Sequence, residues 1–281
     1  MQRGTPSPNA VVYGIVARAT IALPSCLTLL PSYSTLIAVG MGFPETALPL
    51  RANDPCRTFL SAFAGGCLMI SPTRIILVRH GDVPGIDPPC FRGRTDLELT
   101  PVGVRQAEVT RDLLVKCCQP NTIYTSPLSR CVRTGDILAE PYSITPSALA
   151  GLSDIDYGAW GGSSYEEVQS RQPELFNKWL LSPHLVTIPG GETLYDVAGR
   201  VAWVIRMVLD KHASETVLLV SHDTVNRVLL LLALELPLSR YRRIVQEPCG
   251  ISAMEHDPVS GWTIRSINET AHLLSIAALS A

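Results

Sequence analysis

Three short apolar runs, each ending abruptly in polar residues, predict the buried strands of a sheet. The clearest is Arg74–Val78, a mostly β-branched run followed by Arg79-His80-Gly81. Val217–Val220 has the same character and is followed by Ser221-His222-Asp223, and Thr122–Thr125 is a shorter strand. Because ligands of open α/β sheets bind beyond the carboxyl ends of the strands, the residues after these runs are candidates for a site.

Apolar residues recur with a helical period between and after these strands. Thr100 is placed to cap a helix that starts at Pro101 and runs to about Lys116. Ser129 is placed to cap a helix through about Ala139, so that Arg130 would lie at the positive end of its dipole. Two further helices are predicted to start at Ser163 or Ser164 and at Pro173, the second running to about Leu181. Two more are predicted from apolar faces with a helical period, at Leu194–Leu209 and Val225–Leu232.

The alternation of strands and helices predicts the fold class. Two late strands, near Ser252–Glu255 and Trp262–Ile267, complete the sheet. We expect an α/β fold, a three-layer α/β/α sandwich with a mostly parallel sheet. The folded domain is predicted to occupy residues 69–281.

Residues 1–68 lack this regular alternation. They contain four arginines and no lysine against two acids, and Pro, Ser, Thr and small apolar residues predominate. The favoured interpretation is an extension that is disordered or not part of the fold, with Met69 as the natural start. Two alternatives remain: a targeting segment, because the first 44 residues contain no acid, and a membrane anchor in Ala19–Pro44, which internal prolines interrupt.

Composition narrows the classes of function. The chain has 281 residues, of which 46% are hydrophobic and 17% charged, enough for a sizeable core. A net charge of −2 gives no sign of a nucleic-acid-binding surface. The eight cysteines include no CxxC pair and the six histidines form no spaced ligand cluster. We therefore expect a reducing, cytoplasmic compartment, no metal and no other cofactor.

The predicted strand ends suggest a shared site. If the strands are neighbours in a parallel region, Arg79, His80, Arg130 and His222 converge at one edge of the sheet. Two guanidiniums and two imidazoles around one point suit a tetrahedral dianion such as a phosphoryl group. A neutral imidazole can attack phosphorus while arginines stabilise charge on the equatorial oxygens. Asp154, in a Gly-rich irregular segment, is a candidate for the acid that protonates the leaving alkoxide.

Four ordered motifs resemble the histidine phosphatase superfamily, whose members are phosphoglycerate-mutase-like. The matching segments are Arg79-His80-Gly81, Ser126–Thr134, Leu152–Gly158 and Val220-Ser221-His222. The resemblance covers roughly residues 72–270. It implies a phosphoglycerate-mutase-like fold, His80 as the phosphorylated nucleophile, and phosphate binding by an arginine in each of the first two motifs and by His222. It also implies a proton donor at Asp154, where the small members usually have Glu.

Within this family the sequence is most similar to the small bacterial phosphatases of the alpha-ribazole phosphatase-like group. Val83–Ile86 stands where the glycolytic mutases carry a Trp-Asn pair, and the domain has only about 200 residues, which both favour a phosphatase. We expect a metal-independent phosphomonoesterase of a small phosphorylated metabolite, acting as a monomer or homodimer without nucleic acid or membrane. A phosphoryl mutase and a non-catalytic phospho-ligand module remain alternatives.

Weaker candidates surround this predicted site. We expect Phe91–Arg94 to lie over the mouth of the site. The candidate substrate contacts are Gly81, Arg92, Gly93 and Asp223. Asp223 and Asn226 could instead orient His222 or cap the helix that follows it. Glu192 is interpreted as an acid at a helix N-terminus and nothing more.

Overall fold

Six strands form one sheet in the computed structural model of the protein, which describes residues 71–86 and 89–274. The strands are β1 (Thr73–Arg79), β2 (Thr122–Thr125), β3 (Ser147–Ala148), β4 (Thr216–Ser221), β5 (Ile251–Asp257) and β6 (Gly261–Glu269). Their order across the sheet is β3-β2-β4-β1-β5-β6. The first four are mutually parallel, whereas β5 runs antiparallel to β1 and β6 antiparallel to β5. The predicted mostly parallel sheet is confirmed; the sequence pattern does not predict the two-residue edge strand β3.

The position of β4 brings the three candidate strand ends together. It lies between β1 and β2, with Arg79 beside Ser221 and Thr125 beside Val220 in the pairing register. The residues that follow β1, β2 and β4 therefore leave the sheet side by side at its carboxyl edge, which is where ligands of such sheets bind.

The predicted helices form close to their expected limits. They are α1 (Pro101–Cys117), α2 (Ser129–Ala139), α3 (Tyr165–Arg171), α4 (Pro173–Leu181), α5 (Leu194–Lys211) and α6 (Asp223–Ala233). Thr100 caps α1 by accepting a hydrogen bond from the main-chain N–H of Gly103 at 3.0 Å. Ser164, the second of the two predicted starts, forms a capping box with Glu167 at the beginning of α3.

The predicted cap at Ser129 is wrong by one residue. Leu128 occupies the N-cap position, and Ser129 is the first residue of α2. The main-chain N–H and the hydroxyl of Ser129 donate to the carboxylate of Asp96, at 2.8 and 2.7 Å. An acceptor from a distant loop thus replaces the local cap, and Arg130 still lies in the first turn of α2.

Alternate residues of the central strands face two different layers of helices. Ile75 and Leu77 of β1 are buried in the core that contains α5 and α6. Ile76 and Val78 are buried in a second core, on the opposite face, that contains Leu114 of α1 and residues of α2. This alternation, which follows from the period of two along a strand, confirms the three-layer sandwich.

Two glycines fix the chain just after the end of β1. A Cβ atom on Gly81 would collide with the main-chain oxygen of Gly103, and one on Gly103 would collide with that of Asp82. This close approach requires glycine at both positions. The hydroxyl of Thr100 also donates to the carboxylate of Asp82 at 2.7 Å, so the backbone beyond His80 is held against the start of α1.

The expectation that Phe91 lies over the mouth of the site is wrong. Its ring is 1% exposed and packs against Tyr157, Trp160 and Tyr165, with centroid distances of 5.0, 4.9 and 4.5 Å. The ring anchors the loop in the core instead of lying over the mouth of the site. Arg92, the next residue, is half-buried.

All described residues lie in one compact unit, Leu68–Ala281. The predicted extension, residues 1–68, lies outside the described residues, and the assignment of residues 69–281 as the folded domain stays a prediction. In the part of the chain that the structure describes, no helix combines the length and apolar character needed to cross a membrane.

Candidate active site

The two histidines of the predicted site lie together at the carboxyl edge of the sheet. The rings of His80 and His222 are 5.2 Å apart between centroids and meet edge to face, at an interplanar angle of 62°. Both side chains are almost fully buried, with 1% and 0% of their surface exposed. The structure therefore brings together the ends of β1 and β4, as the sequence pattern predicts.

His80 is held in one tautomer by the residue that follows it. Its Nδ1 lies 2.7 Å from the main-chain oxygen of Gly81. A carbonyl oxygen can only accept, so Nδ1 carries the proton and Nε2 keeps its lone pair. Burial, followed by the charges of Arg79 and Arg130, lowers the pKa of His80 well below its usual value. The imidazole is therefore neutral at physiological pH, as a nucleophile must be.

Arg130 is the most constrained side chain of the site. Its guanidinium donates to the main-chain oxygens of Thr95 at 2.8 Å and Gly93 at 2.7 Å. Its Nε donates to Nδ1 of His222 at 3.3 Å, and a terminal nitrogen lies 3.3 Å from Oδ2 of Asp154. Neutral carbonyls thus fix the planar group in place without cancelling its charge.

Arg79, the last residue of β1, is also buried. It donates to the main-chain oxygen of Gln246 at 2.5 Å, while its Nε, in the described structure, has no protein acceptor. Burial lowers the pKa of Arg79, an effect opposed by the nearby carboxylate of Asp223. A buried N–H group without an acceptor is costly, and a bound anion would supply one.

His222 has both ring nitrogens engaged. Arginine can only donate, so the Arg130 bond requires an unprotonated Nδ1, and Nε2–H then donates to the hydroxyl of Ser126 at 2.7 Å. The thiol of Cys131 lies 3.4 Å from the same Nε2. Burial, the two arginines and His80 hold the pKa of His222 well below its usual value. Ser126 stands inside the second recognised motif, but the sequence gives no sign that it contacts this ring.

Asp154, the predicted proton donor, lies beside Arg130 and His222. Its Oδ2 is 3.7 Å from Nδ1 of His222, and its Oδ1 accepts from the main-chain N–H of Ile155 at 2.9 Å. Its side chain is only 13% exposed. Burial raises the pKa of Asp154, and this effect exceeds the opposing attraction of Arg130. The neighbouring Asp156 instead accepts from the main-chain N–H of Gly158 at 2.8 Å, which makes it a turn residue.

The segment that carries Asp154 is held by an ion pair that the sequence does not reveal. Arg200 of α5 donates to the main-chain oxygens of Gly151, Ser153 and Asp154, at 2.9, 2.6 and 3.2 Å. Glu192 orients it from the opposite side, with bonds of 3.0 and 3.1 Å. Glu192 also accepts from the main-chain N–H of Asp156 at 3.0 Å. The interpretation of Glu192 as a helix acid and nothing more is therefore wrong.

The candidate substrate contacts, together with Asn226, make different kinds of contact in the structure. Gly93 binds Arg130 through its carbonyl, and its φ of +49° and its packing against Ile155 exclude a side chain. Asp223, the first residue of α6, pairs with Arg227 at 2.5 Å. Asn226 is fully buried, and its amide has no hydrogen-bond partner among the residues described. Gly81 acts through its carbonyl, and Arg92 donates to the main-chain oxygen of Gly85.

Comparison with known proteins places most of the described chain in one family. Residues 75–270 match the family model of the histidine phosphatase superfamily, branch 1. Phosphoserine phosphatase 1 of Hydrogenobacter thermophilus is 31% identical over 205 residues, which cover 71% of this chain and 94% of the relative. The bifunctional protein Rv2228c of Mycobacterium tuberculosis is 30% identical over 203 residues, 72% of this chain, and the chain spans only 56% of that longer relative.

Solved structures agree with this placement. Bacillus stearothermophilus YhfR superposes with a TM-score of 0.68 at 25% identity, over 72% of this chain and 99% of its own. A structure from Escherichia coli named for an alpha-ribazole-5'-P phosphatase superposes with a TM-score of 0.64 at 21% identity, over 70% and 96% of the two chains. The second likeness shows the fold alone. Because the family model matches residues 75–270, well over half of the chain, the chain belongs to the histidine phosphatase superfamily.

Proposed function

We propose that the protein is a metal-independent phosphomonoesterase that acts through a phosphohistidine at His80. The observation that carries this proposal is the bond from Nδ1–H of His80 to Gly81. It leaves the lone pair of Nε2 available as the nucleophile, in a ring whose pKa is lowered by burial and by the charges of Arg79 and Arg130.

In the first step, Nε2 of His80 forms a bond to phosphorus as the bond from phosphorus to the ester oxygen breaks. Arg79 and Arg130 stabilise the charge on the phosphoryl oxygens. Asp154 gives its proton to the leaving oxygen, so that an alcohol departs. The raised pKa of Asp154 supports this role, and an adjacent phosphate dianion would raise it further.

In the second step, the Asp154 carboxylate takes a proton from water, whose oxygen attacks the phosphorus of phospho-His80. The bond from nitrogen to phosphorus breaks and inorganic phosphate is released. We assign phosphate binding to His222 as well. A dianion beside its ring would favour the imidazolium, which can no longer accept from Nε–H of Arg130, and Nδ1–H would then donate to a phosphoryl oxygen in place of that bond.

The names of the relatives suggest which substrates to test. The H. thermophilus relative is named for phosphoserine, so phosphoserine belongs first in a panel of small phosphorylated metabolites. The monomeric or homodimeric state and the cytoplasmic location stay predictions from the sequence. The described residues contain no group of three His, Cys, Asp or Glu side chains arranged to hold a metal ion.

The test combines turnover with trapping of the intermediate. Substrate labelled with ³²P should leave an acid-labile, alkali-stable label on the wild-type protein, and His80→Asn should show neither label nor turnover. Chelator should have no effect on either. Isomerisation of 3-phosphoglycerate without phosphate release would instead favour a mutase, and binding of phosphate esters without label or turnover would favour a non-catalytic module.

A further inference from the structure

The strand β6 contains a bulge at Asn268. Ile251 of β5 pairs with Glu269 and Ala253 pairs with Ser266, so that β6 uses one residue more than β5 over this interval. Asn268 lies within the bulge and has a φ of +53°, in the left-handed region that asparagine tolerates better than most residues. A bulge turns a side chain in a direction that a regular strand does not allow, and bulges recur beside active sites.

The side chain of Asn268 binds the segment 246–250, which leads into β5. Its amide oxygen accepts a hydrogen bond from the main-chain N–H of Glu247 at 2.7 Å. The same oxygen lies so close to Gly250 that a Cβ atom on this glycine would collide with it. The N–H of Gly250 in turn donates to the main-chain oxygen of Glu247 at 2.9 Å. Asn268, which is half-buried, therefore contacts both ends of a tight turn.

The peptide group between Gln246 and Glu247 joins Asn268 to the phosphoryl site. Its N–H donates to Asn268, and its carbonyl oxygen accepts from Nη1 of Arg79 at 2.5 Å. A peptide group is planar, and in the trans form its N–H and C=O point to opposite sides. One rigid plane is therefore held between the two side chains, and its rotation would break both bonds. Donation by the N–H also polarises the carbonyl and strengthens its bond to the guanidinium.

The same segment holds the main chain at the end of β1. The N–H of Cys249 lies 3.1 Å from the main-chain oxygen of Arg79 and 3.3 Å from that of His80. The N–H of Arg79 donates to the main-chain oxygen of Gly250 at 3.3 Å. Because Arg79 is buried, the direction of its guanidinium depends on contacts of this kind.

We propose that Asn268 is a positioning residue for phosphoryl transfer and acts through the Gln246–Glu247 peptide to orient Arg79. The inference rests on the proposed function, in which Arg79 stabilises the charge on the phosphoryl oxygens. A planar guanidinium binds such oxygens through directional bonds. When the peptide is free to rotate, the guanidinium is free to turn as well, and phosphate binding weakens.

Variants of Asn268 separate its hydrogen bond from its backbone conformation. Asn268→Gly keeps access to the left-handed region but removes the acceptor. It should weaken the binding of inorganic phosphate, measured by calorimetry, by about threefold to thirtyfold, the usual effect of losing one hydrogen bond beside a charged group. Asn268→Asp keeps the acceptor and should bind phosphate more like the wild type than like Asn268→Gly.

Glu235→Gly is the matched control. Glu235 is an exposed residue with a φ of +54°, beyond the end of α6 that lies away from His222. Its replacement changes the freedom of the backbone in the same way and should leave phosphate affinity unchanged. An Asn268→Gly variant with the affinity of this control would overturn the proposal.

A double-mutant cycle tests whether Asn268 acts through Arg79. Arg79→Met cannot donate to the carbonyl of Gln246. Adding Asn268→Gly to that variant should therefore change phosphate affinity much less than the same substitution does in the wild type. A purely structural role would give the same loss in both backgrounds, and that result would overturn the proposal.

The wild type tests the proposal even if Asn268→Gly does not fold. The amide resonance of Glu247 should shift when inorganic phosphate saturates the site, because its peptide carries the bond to Arg79. An unchanged resonance would overturn the proposal. The proposed function fails in a different way: a phosphate-binding module would form no phosphoenzyme but would still depend on Asn268. A wild type without affinity for phosphate would overturn both.

Discussion

Nδ1 of His80 donates a hydrogen bond to the carbonyl oxygen of Gly81, its own neighbour in the chain, across 2.7 Å. The tautomer of the proposed nucleophile is therefore set by the backbone and not by another side chain. The position of that carbonyl depends on the close contact of Gly81 with Gly103 at the start of α1.

The first prediction tests this backbone contact. Gly81→Ala should lower the free energy of unfolding by about 1–3 kcal/mol, because the added methyl group collides with a main-chain oxygen that cannot move freely. Phosphoenzyme formation should fall with it, since the carbonyl that fixes His80 is displaced. Urea unfolding and ³²P trapping measure the two effects.

Gly199→Ala is the control for that substitution. Gly199 is an exposed helical glycine of α5, and a Cβ atom there would have no neighbour within 4 Å. This change should stabilise the protein by about 0.5–1 kcal/mol through helix propensity. If Gly81→Ala behaved in the same way, the contact with Gly103 would not constrain the site.

The second prediction concerns proton donation by Asp154. Asp154→Asn should lower kcat for alkyl phosphates by a factor of about 10²–10⁴, because an alkoxide cannot leave without a proton. The loss should be much smaller for p-nitrophenyl phosphate, whose phenolate leaves unprotonated. Asp154→Glu keeps an acid and should retain far more activity than Asp154→Asn.

The pH profile gives a second measurement of the same group. Asp154 donates only while protonated, so the first step should weaken as pH rises through its pKa, which burial places above the usual value. The resulting fall in rate at high pH, the alkaline limb of the pH profile, should vanish in Asp154→Asn. Equal losses on alkyl and nitrophenyl esters would argue that Asp154 does not protonate the leaving group.

The third prediction is a loss of stability in acid. The pKa values of His80 and His222 are lowered in the folded protein, so below about pH 6.5 the unfolded chain binds protons that the folded chain does not. The free energy of unfolding should therefore fall, by up to about 1.4 kcal/mol per pH unit for each histidine. Denaturant unfolding between pH 7 and pH 5 measures the slope.

Asp154 works in the opposite direction, at pH values between the usual pKa of an aspartate and its own raised pKa. Its raised pKa lets the folded protein keep a proton that the unfolded chain has lost. The free energy of unfolding should therefore fall more steeply with decreasing pH in Asp154→Asn, and less steeply in the double variant His80→Asn, His222→Asn. A double variant with an unchanged slope would show that other groups control the acid sensitivity.

The fourth prediction assigns Arg200 as a positioning residue. Arg200→Lys cannot bridge three carbonyls and Glu192 at once, because a single ammonium lacks the fork of the guanidinium. We expect kcat to fall about tenfold with KM little changed, since Asp154 is displaced and not the phosphate-binding groups. The alkaline limb of the pH profile should shift as well, which a purely structural role would not cause.

Arg206→Lys provides the matched change on the same helix. The side chain of Arg206 is 84% exposed and pairs with Asp210 at 3.8 Å. Its replacement should alter the free energy of unfolding by less than about 0.5 kcal/mol and leave kcat unchanged. A normal kcat in Arg200→Lys would refute the positioning role.

The sequence predicts the meeting of Arg79, His80, Arg130 and His222 because each follows a strand of the same parallel region. The one condition, that the strands be neighbours, is met by the place of β4 between β1 and β2. Helix limits are also predictable, because capping residues and apolar periods act within a few positions of the chain.

Other parts of the site have no such local signal. Arg200 reaches the Asp154 segment through main-chain oxygens, which every residue possesses, so no pattern marks its partners. The hydroxyl of Ser129 does not cap the helix but donates a hydrogen bond to Asp96, a residue 33 positions earlier. The ion pair of Asp223 with Arg227 differs, since its spacing of four on a helix is a recognisable signal.

Because β4 lies between β1 and β2 in the sheet, the sheet can form only after β4 has been synthesised. Residues 73–148 contain three strands, yet β1 has no hydrogen-bonded partner among the other two. A chain synthesised only as far as residue 148 therefore cannot form the sheet. The edges of β1 and β2 that pair with β4 stay unpaired until residues 216–221 are made. Pairing across such long stretches of chain is slow and leaves strand edges open to aggregation. We expect the phosphate site to form only when the second half of the domain has left the ribosome.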